Sequence, residues 1–256
     1  MSTSLTPYQR RLFLLLGVAT FFEGYDFMAL AQILPNLRAD LGLSRFGAGV
    51  LFAVANAGTV VAWPLVRVAD RWGRKRVLVI TIGGYTAATL ASGLAPDVYT
   101  FGAAQFLARV FLIGEWAVSM VYAAEAFPAD RRGHVIGVLQ AFSSLGAIVC
   151  AGVTPLLLQA DWGWRTVYFV GVIPLLLLAW ARRGLQETER FEQLQRDGGG
   201  EPARRSPFAI FHGPHRKRVL QLGLIWFLTY ACSNTAISFW KEFAVGDRGF
   251  TDGQVG

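Results

Sequence analysis

Seven apolar runs dominate this chain of 256 residues, and each is close to the length that spans a bilayer as a helix. They lie at roughly 12–35, 48–68, 77–95, 99–123, 134–158, 166–181 and 219–240. Helices are required there, because backbone N–H and C=O groups in hydrocarbon have no water to bond. Hydrophobic residues make up 54% of the chain and charged residues 16%, which argues against a soluble domain. The sequence therefore predicts an all-α polytopic membrane protein.

The positive charge, a formal net +7, is concentrated in alternate connections between the runs. Arginines and lysines precede the first run, flank the second-to-third connection, follow the fourth run, and fill the stretch between the sixth and the seventh. The other connections carry only Arg38, Arg45 and Arg165. Because loops rich in Lys and Arg stay in the cytoplasm, we expect a cytoplasmic N-terminus in the cell (inner) membrane. The lipid bilayer accounts for the basic composition, and we expect no nucleic-acid partner.

A polar segment divides the chain after the sixth run. Residues 184–217 begin with a charged, helix-compatible stretch, and residues 197–202 (Asp-Gly-Gly-Gly-Glu-Pro) interrupt it. We therefore expect a six-helix transmembrane bundle over residues 1–183 and a cytoplasmic linker over 184–217. Residues 218–256 would then hold the seventh transmembrane helix and the start of an incomplete C-terminal half.

The first run contains two carboxyl groups, Glu23 and Asp26, at a depth where ionised groups are costly. A charged carboxylate near the bilayer centre costs about 2.5 kcal/mol or more when it faces lipid. At a spacing of three the two side chains share a helical face, and they repel each other when both are ionised. One of them is therefore expected to hold a proton, which is the physical basis of a proton-coupling site. The alternative is a structural carboxyl group hydrogen-bonded to a neighbouring helix.

The fourth run brings two further ionisable side chains, Arg109 near its middle and Glu115 beyond it. Arg109 can neutralise an acid of the first run or bind a solute carboxylate with two hydrogen bonds. A structural ion pair is an equal alternative for Arg109. Glu115 shares a face with Ser119 and Tyr122, which predicts a polar network nearer the cytoplasm, and it is a further candidate for proton coupling.

Smaller polar and aromatic side chains recur at helical spacing, where they either line a wet cavity or form hydrogen bonds between helices. The candidates for solute contact are Tyr25, Asn56, Gln140, Ser143, Tyr230 and Asn234. The glycines expected to permit close helix packing are Gly133, Gly137, Gly146 and Gly152. The histidines and cysteines lack the spacing of a metal site, and no glycine loop has a phosphate-binding pattern. We therefore expect no metal, no cofactor and no enzymatic activity.

Charged motifs at the ends of the runs form a recognisable series. Residues Asp70–Arg76 read acid, base, any residue, glycine and a basic cluster, and residues Glu125–Gly133 follow the fourth run. Residues Gly163–Arg165 precede the sixth run, and residues Gln186–Phe191 follow it. In order and spacing these motifs resemble those of the major facilitator superfamily. The resemblance implies the six-helix N-terminal bundle of that fold plus one further transmembrane helix, with the C-terminal half absent.

Within that superfamily, residues Glu23–Asp26 and Gly114–Trp116 resemble the metabolite, sialate and aromatic-acid proton symporters. The resemblance implies secondary active transport, in which a small organic acid or related metabolite moves with protons by alternating access. It makes Asp26 the leading proton site and Glu115 a motif acid of the fourth helix. The expected partners are therefore protons and a small solute, an organic anion.

The charged loops carry a further implication of the resemblance. In this family the loop between the second and third helices secures one conformation by pairing charges at the cytoplasmic surface. The residues expected to act in this gating are Asp70, Arg71, Gly73, Arg74, Glu125 and Arg132. The family pattern is not complete, because Gln105 lies where an arginine is frequent and Arg109 follows one turn later. The solute role of Arg109 is therefore an inference from its own position.

The length of the chain limits what it is expected to do alone. Members of the superfamily have about twelve helices in two halves, which hold the solute between them. We expect a complementary C-terminal half or a second copy to supply the second wall. The alternative to transport is a non-transporting membrane scaffold or sensor derived from a transporter half.

The charge asymmetry predicts that positions 74 and 97 lie on opposite sides of the membrane. In a cysteine-free background, Arg74→Cys and Asp97→Cys should react with a membrane-impermeant maleimide from opposite sides, with Asp97→Cys labelled in intact cells. The measurement is a gel-shift assay on intact cells and on inverted vesicles. Labelling of both positions in intact cells would contradict the expected orientation.

Overall fold

A computed structural model describes residues 5–196, 214 and 216–255, which are almost entirely helical and contain no strand. Its helices are α1 (Pro7–Leu41), α2 (Arg45–Val61), α3 (Trp63–Trp72), α4 (Arg74–Leu94), α5 (Val98–Ala126), α6 (Ala129–Leu157), α7 (Arg165–Arg182), α8 (Glu189–Arg196), α9 (Arg216–Arg248) and α10 (Asp252–Val255). α2 and α3 follow each other with almost no break and form one apolar segment, Arg45–Trp72.

Seven segments of the described chain are long and apolar enough to cross a membrane, namely α1, α2 with α3, α4, α5, α6, α7 and α9. Each corresponds to one of the apolar runs, so the predicted all-α polytopic class is confirmed. The helices mostly extend beyond those runs, because hydropathy marks only the part of a helix that suits hydrocarbon.

Capping residues that hydropathy does not reveal set two of the helix ends. Thr6 and Gln9 exchange side chain–backbone hydrogen bonds, a capping box that starts α1. Asp97 starts α5 by accepting hydrogen bonds from the backbone N–H groups of Tyr99 and Thr100 at 2.8 and 2.9 Å. Hydrogen bonds from Thr100 and Tyr99 hold the pKa of Asp97 below its ordinary value, because they favour the ionised carboxylate.

The helices alternate in direction, so the bundle has two ends. The basic end, defined by residues Arg67–Arg76, Glu125–Arg132 and Arg182–Phe191, is joined by contacts between these segments. The opposite end contains Arg38–Arg45 and Ala95–Asp97. Between the ends, α1 packs along α6, α4 packs along α5 and α7, and α2 packs along α5. We call α1 to α7 the six-helix block, with α2 and α3 counted as one.

Two glycines allow α1 and α6 to run in close contact. Gly24 of α1 lies against the backbone carbonyl of Ser143, and Gly146 of α6 lies against that of Phe21. A Cβ atom at either glycine would overlap the facing carbonyl, so the expected close packing holds at Gly146. The other glycines of α6 face open space because they lie on different faces of the helix: Gly133, Gly137 and Gly152.

Three clusters of buried apolar side chains fill the six-helix block. One includes Leu34 and Phe101, toward the opposite end, and another includes Leu12 and Tyr122, toward the basic end. The third contains Ile82 of α4 and lies between them. The block therefore has a packed interior from end to end, and its ionisable side chains are inserted between these clusters.

α9 contacts the block mainly through its last third. Its buried residues are Ser238, Lys241, Glu242 and Ala244. Arg38 of α1 forms an ion pair with Glu242, and Arg45 of α2 forms one with Asp247 at 2.7 Å. The first two-thirds of α9 exposes large apolar side chains such as Trp226. This part of the helix is therefore suited to contact with lipid or with another chain.

Gly146→Ala is expected to destabilise the protein, because its new methyl group would overlap the carbonyl of Phe21. Overpacking of this kind costs about 1–3 kcal/mol. The matched control is Gly152→Ala, which adds the same methyl group in open space on the same helix. Thermal unfolding of the purified variants should show a lower Tm for Gly146→Ala and an unchanged or slightly higher Tm for Gly152→Ala. Equal Tm values would contradict the packing described here.

Candidate functional site

A fully buried ion pair joins α5 to α7 inside the six-helix block. Glu115 of α5 and Arg182, the last residue of α7, are both completely shielded, and Nη1 of the guanidinium donates to the carboxylate. Thr81 of α4 donates to Oε2 of Glu115 at 2.8 Å, and Ser119 donates to Oε1 at 2.9 Å. The carboxylate is therefore held by α4, α5 and α7 in an interior where an unpaired charge is costly.

Glu23 of α1 lies beside this ion pair without joining it. Only 3% of Glu23 is exposed, and neither carboxyl oxygen has a hydrogen-bond partner among the described residues. Glu23 interacts electrostatically with Glu115 and with Arg182. Two nitrogens of Arg182, Nε and Nη2, are also buried without a described partner. An unpaired carboxyl group and a guanidinium with spare donors therefore occupy the same region.

Asp26, one turn along α1 from Glu23, belongs to a different group of side chains. It interacts electrostatically with Arg109 of α5 and with Tyr85 of α4. Arg109 is 6% exposed, and its guanidinium lies 4.7 Å from the ring centroid of Phe27. Its Nη1 is buried and has no hydrogen-bond partner among the described residues. Arg109 therefore retains a buried donor that a carboxylate could occupy.

Two of the candidates for solute contact use their polar atoms within the block. The hydroxyl of Tyr25 donates to the backbone carbonyl of Val167 in α7 at 3.2 Å. The amide of Asn56 donates to the backbone carbonyl of Phe52, one turn earlier in α2, at 3.0 Å. Both polar side chains therefore form hydrogen bonds within the helix bundle, which is the alternative to lining a wet cavity.

The candidates on α6 make contacts with α5 and α1. Gln140 accepts a hydrogen bond from the indole N–H of Trp116 in α5 at 3.0 Å. Ser143 lies where α6 approaches α1, with its carbonyl against Gly24. Through these two residues, α6 contacts both α5, which carries Glu115, and α1, which carries Asp26.

The candidates on α9 lie at the edge of the group that contains Asp26. Tyr230 stacks on Trp226 with ring centroids 5.4 Å apart, and it interacts electrostatically with Arg109. Asn234, one turn further along, is half-buried. Tyr230 therefore interacts with Trp226 directly and with Arg109 only electrostatically.

At the basic end, Arg74 is the centre of a charged cluster. Its buried guanidinium pairs with Asp70 of α3 at 3.2 Å and with Glu125 of α5 at 3.1 Å. Thr188 donates to the second carboxylate oxygen of Glu125 at 2.7 Å, and the ring of Phe191 lies 5.2 Å from the guanidinium carbon. Three of the residues expected to act in gating are therefore in direct contact.

Glu187 caps the start of α4 from a distant part of the sequence. Its carboxylate accepts hydrogen bonds from the backbone N–H groups of Arg74 at 3.0 Å and of Lys75 at 3.2 Å. Gly73 precedes them with a φ of 95°, and a Cβ atom there would overlap the Glu187 carboxylate. Negative charge is favoured at a helix N-terminus, because the unpaired N–H groups and the helix dipole attract it. Gly73 therefore leaves room for this anion.

The first residues of the predicted linker pack on the six-helix block. Leu185 and Phe191 are buried there. The physical reason is that the segment supplies both apolar anchors and the anion that the start of α4 binds. Residues 197–213 and 215 of the predicted linker lie outside the described part of the chain.

Two other residues expected to act in gating are placed at the edge of the basic end. Arg132, in the first turn of α6, is half-buried, and its Nε has no hydrogen-bond partner among the described residues. Arg71 is exposed in the last turn of α3. The sequence pattern grouped these arginines with Arg74, but burial distinguishes Arg74 from both.

In the part of the chain that the structure describes, no group of three or more His, Cys, Asp or Glu side chains is placed to hold a metal ion. His134 is exposed near the start of α6, and His212 and His215 fall among residues that the structure does not describe. Cys150 is a buried free thiol and Cys232 an exposed one.

Sequence reasoning missed Arg182, Tyr85 and Glu187. The charge pattern treats Arg182 and Arg183 alike, as loop charges between the sixth and seventh runs that favour a cytoplasmic loop. Nothing in an Arg-Arg pair shows which of the two side chains turns inward. Tyr85 lies within an apolar run, where it looks like packing. The signal for Glu187 was available, because it lies in the motif after the sixth run, but its contact with α4 depends on the fold.

Membrane-length helices with paired and unpaired charges buried between them define a polytopic membrane protein with a polar interior. The family model described as the Major Facilitator Superfamily matches residues 16–256, and the chain belongs to this superfamily. The resemblance found in the loop motifs is thereby confirmed.

Several curated relatives are named as transporters of organic acids or related metabolites. The sialic acid transporter NanX of Escherichia coli (strain K12) is 29% identical over 88% of this chain and 54% of its own length. A probable 4-methylmuconolactone transporter of Cupriavidus pinatubonensis is 27% identical over 98% of this chain and 58% of its own. A cis,cis-muconate transport protein of Acinetobacter baylyi is 29% identical over 85% and 52%. The chain spans about half the length of these relatives.

Solved structures of the superfamily share the fold. The crystal structure of a D-xylose–proton symporter aligns with 97% of this chain and 64% of its own, with a TM-score of 0.76 and 19% identity. A bacterial homologue of the human lysosomal transporter Spinster, in an inward-facing and occupied conformation, aligns with 98% and 57%, with a TM-score of 0.75 and 19% identity. At this identity the likeness shows the fold alone.

Glu187→Ala is expected to release the segment after α7 from the start of α4. Hydrogen bonds to a charged group contribute about 1.5–3 kcal/mol each, so the amides of Arg74 and Lys75 should exchange about tenfold faster or more. Hydrogen exchange of the purified chain, followed by mass spectrometry, measures this change. The matched control is Glu189→Ala, which removes an exposed glutamate two residues away. Equal exchange in both variants would contradict the capping role of Glu187.

Proposed function

We propose that this chain forms a proton-coupled secondary active transporter, or the N-terminal portion of one, and not an enzyme. Its cargo would be a small organic anion or related metabolite, moved by alternating access. Support comes from relatives named for the transport of sialic acid, 4-methylmuconolactone and cis,cis-muconate. The observation that carries the proposal is Arg109, a buried guanidinium with an unpartnered Nη1 in electrostatic contact with Asp26.

In this proposal Arg109 binds the carboxylate of the solute. A guanidinium matches a carboxylate with two parallel hydrogen bonds, and such bonds are strong where water is scarce. Phe27 holds the guanidinium plane from one side, so the arginine is partly oriented before the solute arrives. The further solute contacts proposed are Tyr25, Asn56, Gln140, Ser143, Tyr230 and Asn234.

Asp26 is the proposed principal proton site because it depends on Arg109 for its counter-charge. A solute carboxylate at Arg109 competes for that positive charge and leaves an ionised Asp26 without compensation. Asp26 then binds a proton, so solute and proton are loaded together with no net charge added to the interior. Glu23 and Glu115 are proposed as further proton-coupling residues next to this group.

The basic end is proposed to face the cytoplasm and to act in gating. Arg74, Asp70 and Glu125 form a charge cluster whose separation would accompany a change of conformation. Gly73 is proposed to act with this cluster by leaving room for the Glu187 carboxylate. Arg71 and Arg132 are proposed to act at its edge.

The second wall of the solute path is proposed to come from a complementary C-terminal half or from a second copy of the chain. Support for this comes from α9, whose first two-thirds is exposed, and from the relatives, which are about twice as long. A single copy of residues 1–256 is therefore not expected to carry out coupled transport.

Asp26→Asn is expected to abolish proton-coupled uptake while leaving exchange of bound solute intact. The measurement uses membrane vesicles from cells that express the complete transporter, in which this chain has its second wall, with radiolabelled cis,cis-muconate and sialic acid as the probes. An imposed proton gradient should drive saturable uptake of at least one probe by the wild type. In Asp26→Asn that uptake should be lost, and counterflow without a gradient should remain, because the variant mimics the protonated aspartate.

Arg109→Gln should lose both uptake and counterflow, because it removes the proposed anion site. Arg183→Gln is the matched control, since it removes an exposed arginine next to the block and should change neither. Gradient-driven uptake that survives in Asp26→Asn would reject the proton-site assignment. The absence of uptake of any organic anion by the wild type would reject the proposed function.

A further inference from the structure

The interior of the six-helix block holds unequal numbers of acidic and basic groups. Apart from the cluster around Arg74, its described helices contribute to the interior the carboxyl groups of Glu23, Asp26 and Glu115 and two guanidinium groups. These belong to Arg109 and to Arg182, which enters the interior from the basic end and is completely shielded. In a water-poor interior each guanidinium can neutralise one carboxylate, so one carboxyl group is left without a counter-charge. That group must be protonated for the interior to stay neutral.

The contacts show which carboxyl group is left over. Glu115 is paired with Arg182, and Asp26 interacts electrostatically with Arg109. Glu23 is almost completely buried, and both of its oxygens lack a described hydrogen-bond partner. The acid that remains after each guanidinium has been assigned is therefore Glu23, and not Asp26.

Arg182 has hydrogen-bond donors that its pair with Glu115 does not use. Nη1 holds Glu115, whereas Nε and Nη2 are buried without a described partner. A guanidinium carries five N–H donors in a planar fork, so it can hold either glutamate or both. The unused donors of Arg182 and the unused acceptors of Glu23 belong to buried groups that interact electrostatically.

We propose that Glu23 and Glu115 share a single proton and that Arg182 positions it, as a protonation centre separate from Asp26 and Arg109. While Glu115 is paired with Arg182, the proton is on Glu23. When Glu23 takes the guanidinium, the O–H bond of Glu23 breaks and an O–H bond forms on Glu115. The three side chains together stay neutral in both states.

The groups that act on this proton come from four helices. Glu23 lies on α1 with Asp26 one turn away, Glu115 comes from α5, Arg182 from α7, and Tyr85 from α4. α6 meets this part of α1 at its glycine contact and contributes no charged side chain there. A part for the centre in coupling rests on the proposed function, but the existence of the shared proton does not.

Infrared difference spectroscopy of the purified full chain tests the proposal without any solute. Near neutral pH, the C=O stretch of a protonated carboxyl group inside the protein is separate from the amide and carboxylate bands and shifts in D₂O. The wild type is expected to show the band of one such group, and Glu23→Gln should remove it. Glu115→Gln should remove it as well, because Glu23 then pairs with Arg182 as a carboxylate. Asp26→Asn combined with Arg109→Gln is the control and should leave it, because the double variant removes one acid together with its counter-charge.

Changes at Arg182 distinguish a shared proton from a structural effect. Arg182→Gln should double the band, because both glutamates must then be protonated. Glu115→Gln combined with Arg182→Gln should restore the single band, now on Glu23, and it removes the pair without leaving an unpaired charge. This double variant keeps the test decisive where Arg182→Gln alone fails to fold.

Three results would overturn the proposal. They are a wild type without a protonated carboxyl band, loss of the band in the Asp26→Asn/Arg109→Gln double variant, and an unchanged band in Glu115→Gln. Because the spectra need neither solute nor transport, failure of uptake in vesicles would reject the proposed function and leave this result standing.

Discussion

Glu115 and Arg182 meet where α4, α5 and α7 converge, and neither charge is tolerated there without the other. Removing one partner of such a buried pair costs about 3–5 kcal/mol, because the remaining charge is left without compensation. Thr81 and Ser119 satisfy further lone pairs of the carboxylate, so the pair also fixes the relative rotation of α4 and α5. The packing of three helices therefore depends on one arginine at the last turn of α7.

The same arginine sets the course of the chain beyond α7. Arg182 fixes the position where α7 ends, and the next residues turn back so that Leu185 enters the core and Glu187 reaches the start of α4. Glu187 thereby supports the helix whose first residue, Arg74, pairs with Glu125 of α5. The interior pair and the charged cluster at the basic end are therefore parts of one connected structure.

Length and hydropathy were enough to predict the seven spans, because a bilayer allows few alternatives to a helix of that length. Length and hydropathy could not show that Glu23 and Asp26 have different neighbours. A spacing of three places side chains about 60° apart and about 4.5 Å apart along the axis, which is enough to give them different neighbours. Glu23 interacts with Glu115 and Arg182, whereas Asp26 interacts with Arg109, and Tyr85 interacts with both acids. Hydropathy likewise could not show that Arg182 turns inward, because the rotation of α7 depends on Glu115.

The two ways in which helices are attached here have different consequences for motion. α7 is bound to the block by a completely buried pair, whereas α9 is attached near its end by two other pairs. Arg45 with Asp247 is largely exposed, and Arg38 with Glu242 is more buried but lies at the opposite end of the block. Exposed pairs contribute only about 0–1 kcal/mol, because water replaces the partner at little cost. Separation of α9 from the block would break these two pairs and leave Glu115 paired with Arg182. A movement of α7 would instead separate Glu115 from Arg182 and leave both charges unpaired in the interior.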